Sequence, residues 1–233
     1  MAAILVANSV RKVYRSAGVE VEALKGVDLI VNAGEWVSIM GPSGCGKTTL
    51  LNCLSGLDDI DDGNVELSGA GLHAMSDAER TRHRARSMGF IFQAYNLIPV
   101  FSAVENVELP LLLGGVRQSE ARKRATETLE RVGLGHRLRN RPAELSGGEQ
   151  QRVTVARALA GKPSVVWADE PTGALDSETA GVVMELLADL HRTDGIAMIV
   201  VTHDEEVGNQ AQRMVTMRDG RIVGDRQTAK TWA

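Results

Sequence analysis

Three short apolar runs that each end in polar residues predict buried parallel strands. They span residues 36–40, 164–168 and 196–201. The first leads into a glycine-rich loop, the second into Asp169 and Glu170, and the third into residues 202–204. The carboxyl ends of parallel strands meet at one edge of a sheet, where α/β folds bind their ligands. The pattern therefore predicts an α/β fold with a mainly parallel sheet and a ligand site at that edge.

Two other segments alternate apolar and polar residues and predict antiparallel strands. Residues 3–10 alternate near the start of the chain, and residues 213–223 surround Asp219 and Gly220, a typical hairpin turn. We expect from these segments a small antiparallel β subdomain beside the parallel sheet.

The segment 94–160 lacks strong strand signals and predicts helices instead. One helix is expected from Ser119, as its N-cap, to Val132. One face of this helix repeats at helical spacing in Ala121, Ala125, Leu129 and Val132. We expect a single domain over residues 1–233, in which a helical subdomain at 94–160 is inserted into a core formed by 1–93 and 161–233.

Composition and charge exclude several classes of protein. The chain has 233 residues, of which 43% are hydrophobic and 24% charged, and these values exclude disordered and fibrous proteins. Its net charge of −4 provides no overall basic field for nucleic acid. A basic run with four arginines in residues 80–86 lies near the acidic residues 58–62. We expect a solvated surface there, with a contact to a partner as the alternative.

The sequence shows neither a membrane span nor a secretory signal. Its apolar segments, such as 196–201, are far shorter than the ~20 residues that a spanning helix needs. The two cysteines, Cys45 and Cys53, are expected to be reduced thiols of a cytosolic protein. Any membrane role would therefore depend on a partner.

A phosphate-binding loop follows the first predicted strand. Residues 41–48 fit the pattern G-x-x-x-x-G-K-[ST] between that strand and an apolar helix. In such a loop the backbone N–H groups donate to phosphates, the lysine neutralises terminal oxygens and the threonine hydroxyl ligates Mg²⁺. The predicted phosphate-binding residues of this loop are Gly41, Pro42, Ser43, Gly44, Cys45, Gly46, Lys47, Thr48 and Thr49.

The acidic pair after the second strand suits chemistry at that loop. Asp169 is placed to help hold Mg²⁺, and Glu170 to orient and deprotonate a water for in-line attack on the γ-phosphate. Taken alone, such a pair is more often a helix N-cap or part of a surface loop. Its significance therefore comes from the phosphate loop upstream.

A second candidate anion site lies in the stretch LSGGEQQR, residues 145–152, called here the signature segment. Ser146, Gly147 and Gly148 open a polar run that favours a helix, and the free N–H groups at the start of a helix attract anions. One small chain thus carries two candidate phosphate sites.

These motifs occur in the order found in ATP-binding cassette (ABC) ATPases, which essentially the whole chain resembles. They are the phosphate loop, Gln93 in IFQAYNLIP, the signature segment, VVWADEP, GALD at 173–176 and His203 in VTHD. Stretches such as EALKGVDL and PTGALDS are most similar to the branch that drives lipoprotein release and macrolide efflux. The resemblance implies ATP and Mg²⁺ as ligands and ATP hydrolysis as the activity.

The resemblance also implies a role for individual residues. Tyr14 would stack on adenine, and Gln93 would sense Mg²⁺ and the attacking water while touching a transmembrane partner. Glu170 would be the catalytic base, Asp176 would link two nucleotide sites and His203 would contact the γ-phosphate. The implied catalytic set is Glu170, His203, Lys47 and Gln93, and the implied Mg²⁺ set is Thr48, Gln93 and Asp169. Without the family, Tyr14 would be an edge-strand aromatic, Gln93 a surface amide and His203 a structural histidine.

Pairing of two chains would explain the two anion sites. ABC ATPases associate head to tail, so Ser146, Gly147 and Gly148 of one copy would close on ATP held by the phosphate loop of the other. The implied partners are a second ATPase subunit, expected as a homodimer, and an integral membrane permease with a large extracytoplasmic domain. The chain would then lie at the cytoplasmic face of the cell membrane, and no nucleic-acid partner is expected.

Two other functions stay open from the sequence. One is a non-transport ABC ATPase of translation or DNA repair, although such proteins carry tandem cassettes or long coiled coils that this sequence does not show. The other is an accessory module that holds ATP without turnover, against which Glu170 and His203 argue.

Overall fold

Two β-sheets and the helices packed on them make up the fold, which a computed structural model describes over residues 2–16 and 18–230. In these residues the strands are β1 (Ala3–Ser16), β2 (Val19–Asn32), β3 (Trp36–Met40), β4 (Asp62–Leu67), β5 (Ala70–Gly71), β6 (Met88–Phe92), β7 (Val165–Asp169), β8 (Ala197–Thr202), β9 (Arg213–Arg218) and β10 (Arg221–Gln227). The helices are α1 (Lys47–Leu54), α2 (Asp77–Ser87), α3 (Ala103–Leu113), α4 (Gln118–Arg131), α5 (Gly147–Leu159), α6 (Ser177–Asp194) and α7 (Glu205–Gly208), with short 3₁₀ turns at Leu72–Ala74, Gly135–Arg137 and Pro142–Glu144.

The larger sheet has the strand order β10-β9-β3-β8-β7-β6 and is parallel except at β10. Strands β3, β7 and β8 correspond to the three apolar runs, and their residues are buried with the exception of the half-buried Asp169. Parallel strands are covered on both faces and therefore read as continuous apolar runs. The predicted α/β fold with a mainly parallel sheet is confirmed.

The smaller sheet is antiparallel, with the order β2-β1-β4-β5. The predicted hairpin around Asp219 and Gly220 also forms, as β9 and β10. It extends the larger sheet, however, because β9 pairs in parallel with β3. Met214 and Val215 of β9 point to opposite faces and are both buried, so this strand lies where both of its faces are covered. Of the two predicted antiparallel segments, only the amino-terminal one contributes to the small sheet.

Residues 94–160 are all described, and none of them lies in a strand. The predicted face of α4 is buried throughout, at Ala121, Ala125, Leu129 and Val132. Ser119 is not the N-cap. The helix begins one residue before it, because the extended Arg117 is the cap and its carbonyl accepts from the N–H of Ala121 at 2.9 Å. The subdomain boundaries after residues 93 and 160 remain a prediction.

The larger sheet separates two hydrophobic clusters, because successive strand residues point to opposite faces. Trp36 of β3 and Val166 of β7 face the cluster that includes α3, α4, α5 and α6. Val37 and Trp167, their neighbours in sequence, face the cluster that includes α1 and the small sheet. The sheet therefore holds its carboxyl-end edge between two packed layers. No helix in the described residues is long and apolar enough to cross a membrane.

The basic run in α2 is not the uniformly solvated surface that its charges predicted. Arg80 is only 8% exposed, and its guanidinium pairs with Asp59 and with Asp77. Asp59 lies in the acidic stretch 58–62, so the two opposite charge runs meet across the surface. Arg82 and Arg86 are exposed as expected. The prediction was therefore wrong for Arg80, because the partner that neutralises it lies close in space.

Candidate functional site

The phosphate loop, residues 41–49, connects β3 to α1 and can be built only with glycine at two positions. Gly46 has a φ of 103°, and a Cβ there would lie 2.7 Å from the carbonyl oxygen of Ala23. A Cβ at Gly41 would lie 2.3 Å from the carbonyl oxygen of Met217. The loop is thus packed against backbone from β2 and β9. It leads directly into the amino end of α1, where free N–H groups favour phosphate.

Lys47 folds back over this loop. The side chain is buried, with 8% of the residue exposed, and its Nζ donates to the carbonyl oxygens of Gly41 at 2.8 Å and Pro42 at 3.1 Å. These two neutral acceptors hold the ammonium at the mouth of the loop. A phosphate oxygen there would gain a charge-assisted hydrogen bond from the same group.

Thr48 and Asp169 provide oxygen atoms next to the loop. The hydroxyl of Thr48 donates to Oδ1 of Asp169 at 3.2 Å. Burial raises the pKa of Asp169, and the charge of Glu170 adds to this, while the bond from Thr48 opposes it. Hydroxyl, carboxylate and amide oxygens suit a hard cation such as Mg²⁺. The residues present therefore fit the metal, with Thr48 and Asp169 adjacent and Gln93 lining the same cleft.

Glu170 is held rigidly at the end of β7. Its backbone has a left-handed φ of 48°, and its N–H donates to the carbonyl of Val201 at 2.9 Å. Its carboxylate accepts from the hydroxyl of Thr202 at 2.9 Å and from the backbone N–H of His203 at 3.0 Å. The imidazole Nδ1 of His203 lies 2.7 Å from the same carboxylate. Three partners from β8 and its end thus fix this carboxylate at the sheet edge.

One cleft of about 660 Å³ collects most of the predicted site residues. It is lined by Tyr14, residues 43–49, Gln93, Glu170 and His203. Ala23, Lys25 and Gly220 also line it and were not predicted. The N–H of Gly220 donates to the carbonyl of Cys45 at 3.0 Å. Such backbone contacts from distant strands carry no side-chain signature, so the sequence could not have revealed them.

Tyr14 lies at the rim of this cleft and is 41% exposed. Its hydroxyl donates to Oδ2 of Asp58 at 2.8 Å. Lys12 donates to the other oxygen of Asp58 at 2.8 Å, and its Nζ lies 5.2 Å from the centre of the Tyr14 ring. Asp58 therefore fixes the direction of the ring. In the sequence, Asp58 is only one charge in the acidic run 58–62 and shows no sign of this contact.

We expect Asp58→Ala to weaken ATP binding without changing the chemical step, because the ring of Tyr14 loses its anchor. The loss of one charge-assisted hydrogen bond predicts a roughly fivefold to tenfold rise in the Kd for ATP, equivalent to about 1 kcal/mol. Titration of a fluorescent ATP analogue measures the Kd, and single-turnover hydrolysis measures the chemical step. Asp189→Ala, which removes an exposed carboxylate on α6, is the matched control. An unchanged Kd in Asp58→Ala would show that Tyr14 needs no anchor.

The remaining predicted residues do not line this cleft. Ser146 is the N-cap of α5, where its Oγ accepts from the N–H of Glu149 at 3.2 Å. Gly148 packs against α6, since a Cβ there would lie 2.4 Å from Cγ2 of Thr179. Asp176 is the N-cap of α6, and it accepts from the N–H of Thr179 at 2.9 Å. The starts of α5 and α6 therefore adjoin, outside the cleft that the phosphate loop forms.

The fold, with its mainly parallel sheet, phosphate loop and signature segment, is that of an ABC ATPase. A family model described as "ABC transporter" matches residues 24–173. The chain belongs to this family, as an ATP-binding domain.

The chain is similar over almost its whole length to curated relatives and to a solved structure of this family. The lipoprotein-releasing system ATP-binding protein LolD of Pseudomonas fluorescens is 48% identical over 221 residues, which cover 95% of this chain and 97% of the relative. LolD of Psychrobacter arcticus is also 48% identical, over 94% of this chain and 98% of its own. The ATP-binding cassette MJ0796, solved as a dimer in a post-hydrolysis state with ADP and Pi, matches with a TM-score of 0.89 and 41% identity, covering 97% of this chain and 100% of its own. The predicted family and its lipoprotein-release branch are confirmed.

Proposed function

We propose that this chain hydrolyses ATP as one of two subunits that share their nucleotide sites. A single observation carries the proposal. The cleft brings together the phosphate loop, Gln93, Glu170 and His203, whereas Ser146, Gly147 and Gly148 do not line it. A second copy is the simplest source of the missing contacts, because the start of its α5 offers free N–H groups to a phosphate.

Each predicted catalytic or metal-binding residue has a role in this reaction. Lys47 and the loop N–H groups bind the β- and γ-phosphates, and Tyr14 stacks on adenine. Mg²⁺ would be held by Thr48, Asp169 and Gln93, and would supply neutralisation of the phosphate charge. Glu170 accepts a proton from the attacking water, and its fixed direction keeps that water in line with the γ-phosphate. His203, 68% exposed at its side chain and bonded to Glu170, contacts the γ-phosphate.

Two copies would meet head to tail over this face. Ser146, Gly147 and Gly148 of one copy then bind the γ-phosphate held by the other, and Asp176, adjacent through the start of α6, links the two sites. A second cleft, of about 670 Å³, also contains Glu170 and His203 and extends to Leu175 and Ser177. The face around the γ-phosphate position is therefore concave and open. The homologous cassette MJ0796 was solved as a dimer, which supports this arrangement.

A separate apolar groove suits the permease. It has a volume of about 440 Å³, lies between β6, α2 and α3, and is lined by Phe90, Phe92 and Pro110 among other residues. Its charged lining residues in the described chain are all arginines, namely Arg82, Arg84 and Arg157. An amphipathic cytoplasmic helix with an acidic residue would fit such a groove. Because β6 leads from this groove to Gln93, closing the nucleotide sites would move the bound helix.

The lipoprotein-releasing relatives suggest the kind of permease. By analogy with them, this chain would drive an integral membrane subunit with a large extracytoplasmic domain by mechanical push, and would lie at the cytoplasmic face of the membrane. The alternative is a non-transport ABC ATPase of translation or DNA repair. Co-purification with a membrane subunit through the apolar groove distinguishes the two, since a non-transport protein has no such partner.

Complementation between two inactive variants tests the shared site. Ser146→Arg places a bulky cation where the partner's γ-phosphate would lie, and Lys47→Ala disables the phosphate loop. Each variant alone is expected to lose about two orders of magnitude in rate, since one γ-phosphate contact contributes ~3 kcal/mol to the transition state. A mixed dimer, however, has one site with both defects and one intact site. Mixing the two proteins should therefore restore part of the phosphate release.

The control for this experiment is the variant with both substitutions in one chain, mixed with either single variant. Neither of these mixtures can form an intact site, so neither should regain activity. Differently tagged subunits report that mixed dimers form. Mixed dimers that release no phosphate would contradict the arrangement.

A further inference from the structure

The segment that follows Gln93 is fastened to the helical part of the chain. This Gln93 loop, residues 93–102, leaves the larger sheet at the end of β6 and enters α3. Tyr95 and Asn96 both adopt left-handed backbone conformations, with φ of 55° and 51°. Non-glycine residues rarely hold such angles unless neighbouring groups impose them. Turn bonds within the loop, from the N–H of Tyr95 to Phe92 and from that of Asn96 to Ala94, and a contact from α5 accompany these angles.

Arg157, near the end of α5, binds both of these residues. Its Nη1 donates to the carbonyl oxygen of Asn96 at 2.5 Å, and its Nη2 donates to that of Tyr95 at 2.8 Å. No carboxylate pairs with Arg157 in residues 2–16 and 18–230, so these two carbonyls are its polar partners there. The planar guanidinium forms two divergent bonds that a lysine could not reproduce. Arg157 therefore holds the backbone of the loop immediately after Gln93.

The side chain of Tyr95 reaches the other end of the same helix. A Cβ at Gly147 would lie 3.0 Å from the phenol oxygen of Tyr95, so the hydroxyl lies directly against the signature segment. Tyr95 thus touches α5 near its start through the ring and near its end through the carbonyl. The Gln93 loop is clamped along the length of this helix.

The rest of the loop is fixed to α3 by a buried amide. Asn106 is 2% exposed. Its Oδ1 accepts from the N–H of Ile98 at 2.7 Å, and its Nδ2 lies within hydrogen-bond distance of the carbonyls of Ile98, Phe101 and Ser102. Residues 95–102 are therefore carried by α3 and α5, whereas Gln93 follows directly from β6 and lines the nucleotide cleft. A movement of α5 relative to the sheet would therefore act on residues 93–94, which connect these two parts.

We propose that Arg157 is a positioning residue that couples the two nucleotide sites of the dimer. Through Arg157, the Gln93 loop moves together with the signature segment. Contact between Ser146 and the partner's ATP therefore sets the position of Gln93 in the chain's own cleft. This inference rests on the proposed shared site. Engagement of the signature segment of the same chain brings Gln93 into its most active position, so hydrolysis in one site is about tenfold faster when ATP occupies the other. ATP binding itself does not need Arg157, because the phosphate loop is built from β2, β3 and β9.

The test compares Arg157→Lys and Arg157→Met with Arg124→Lys. Lysine keeps the charge but cannot hold both carbonyls, and methionine removes every donor while keeping the length. Arg124 pairs with Glu120 on the surface of α4 and is the matched control. We expect kcat to fall about tenfold in Arg157→Lys and further in Arg157→Met, while the KM for ATP changes by less than about twofold. The Hill coefficient for ATP should fall towards one, because the two sites no longer communicate.

A second measurement separates coupling from folding. Each Arg157 substitution is combined with Glu170→Gln, and ATP-dependent dimerisation is followed by size-exclusion chromatography. Dimerisation should persist, because the start of α5 is unaltered. A kcat and a Hill coefficient equal to those of the control overturn the inference. So does a joint fall of kcat, ATP affinity, dimerisation and melting temperature, since a purely structural role predicts that result.

The failure of the proposed function would look different. If Glu170→Gln with native Arg157 stays monomeric in ATP, the proposed shared site is refuted, and the proposed coupling, which depends on it, is refuted too. If that variant dimerises and Arg157→Lys still hydrolyses ATP cooperatively, only the role of Arg157 is wrong. Should Arg157→Met not fold, the lysine variant decides alone, because it keeps a donor for one of the two carbonyls.

Discussion

Glu170→Gln is expected to stop steady-state hydrolysis and leave an ATP-bound dimer that does not come apart. The amide keeps the shape of the carboxylate and can still meet Thr202 and His203, but it cannot accept a proton from water. Loss of a general base predicts a fall in kcat on the order of a thousandfold. Phosphate release measures the rate, and size-exclusion chromatography with ATP and Mg²⁺ measures the dimer.

Glu130→Gln is the matched control for this variant, because it makes the same change at an exposed position on α4. It should hydrolyse ATP normally and remain mostly monomeric after turnover. The proposed mechanism would fail if Glu170→Gln bound ATP but stayed monomeric. It would also fail if the variant kept more than a tenth of the native rate, since the carboxylate would then have no part in activating water.

Lys47→Ala is expected to abolish measurable ATP binding while leaving the backbone of the phosphate loop intact. The ammonium is buried and already lies at the mouth of the loop, held by the carbonyls of Gly41 and Pro42. Removing it leaves the phosphate charge unneutralised in a partly buried site, at a cost of about 3 kcal/mol or more, which weakens binding by a factor of at least about a hundred.

Titration with a fluorescent ATP analogue measures this loss, and ADP binding provides a comparison because it lacks the γ-phosphate. Lys123→Ala, an exposed position on α4, should bind ATP as the native chain does. Circular dichroism checks that Lys47→Ala remains folded. An affinity for ATP close to that of the native chain would refute the assigned role of Lys47.

Much of the fold follows from local patterns in the sequence. The apolar runs of β3, β7 and β8 were identified within a residue or two, because strands buried on both faces leave little room for polar residues. The face of α4 was predicted because small and apolar residues repeat at helical spacing. The phosphate loop can be predicted for a similar reason. Its glycines are required because a Cβ at Gly41 or Gly46 would clash with neighbouring backbone atoms.

Features that depend on contacts between distant residues cannot be predicted from local sequence patterns. The pattern of β9 and β10 showed a hairpin, but nothing local indicated that β9 would pair with β3. Arg80 is buried because Asp59 meets it across the fold, which a run of charges does not reveal. Asp58 and Arg157 are further examples, since each acts on atoms many residues away. Helix α4 begins before Ser119 because Arg117 is its N-cap. Arg117 makes no side-chain cap hydrogen bond, so the sequence carries no signal for this start.

The contact between the phosphate loop and the hairpin has a consequence for biosynthesis. The loop lies in the first quarter of the chain, but the backbone that shapes it includes Met217 and Gly220, which the ribosome adds near the other end. A nascent chain that has just exposed residues 41–49 therefore has no finished pocket, since domains fold as units once their parts are available. ATP therefore cannot assist folding before β9 has been synthesised. A chain truncated before β9 should not bind ATP.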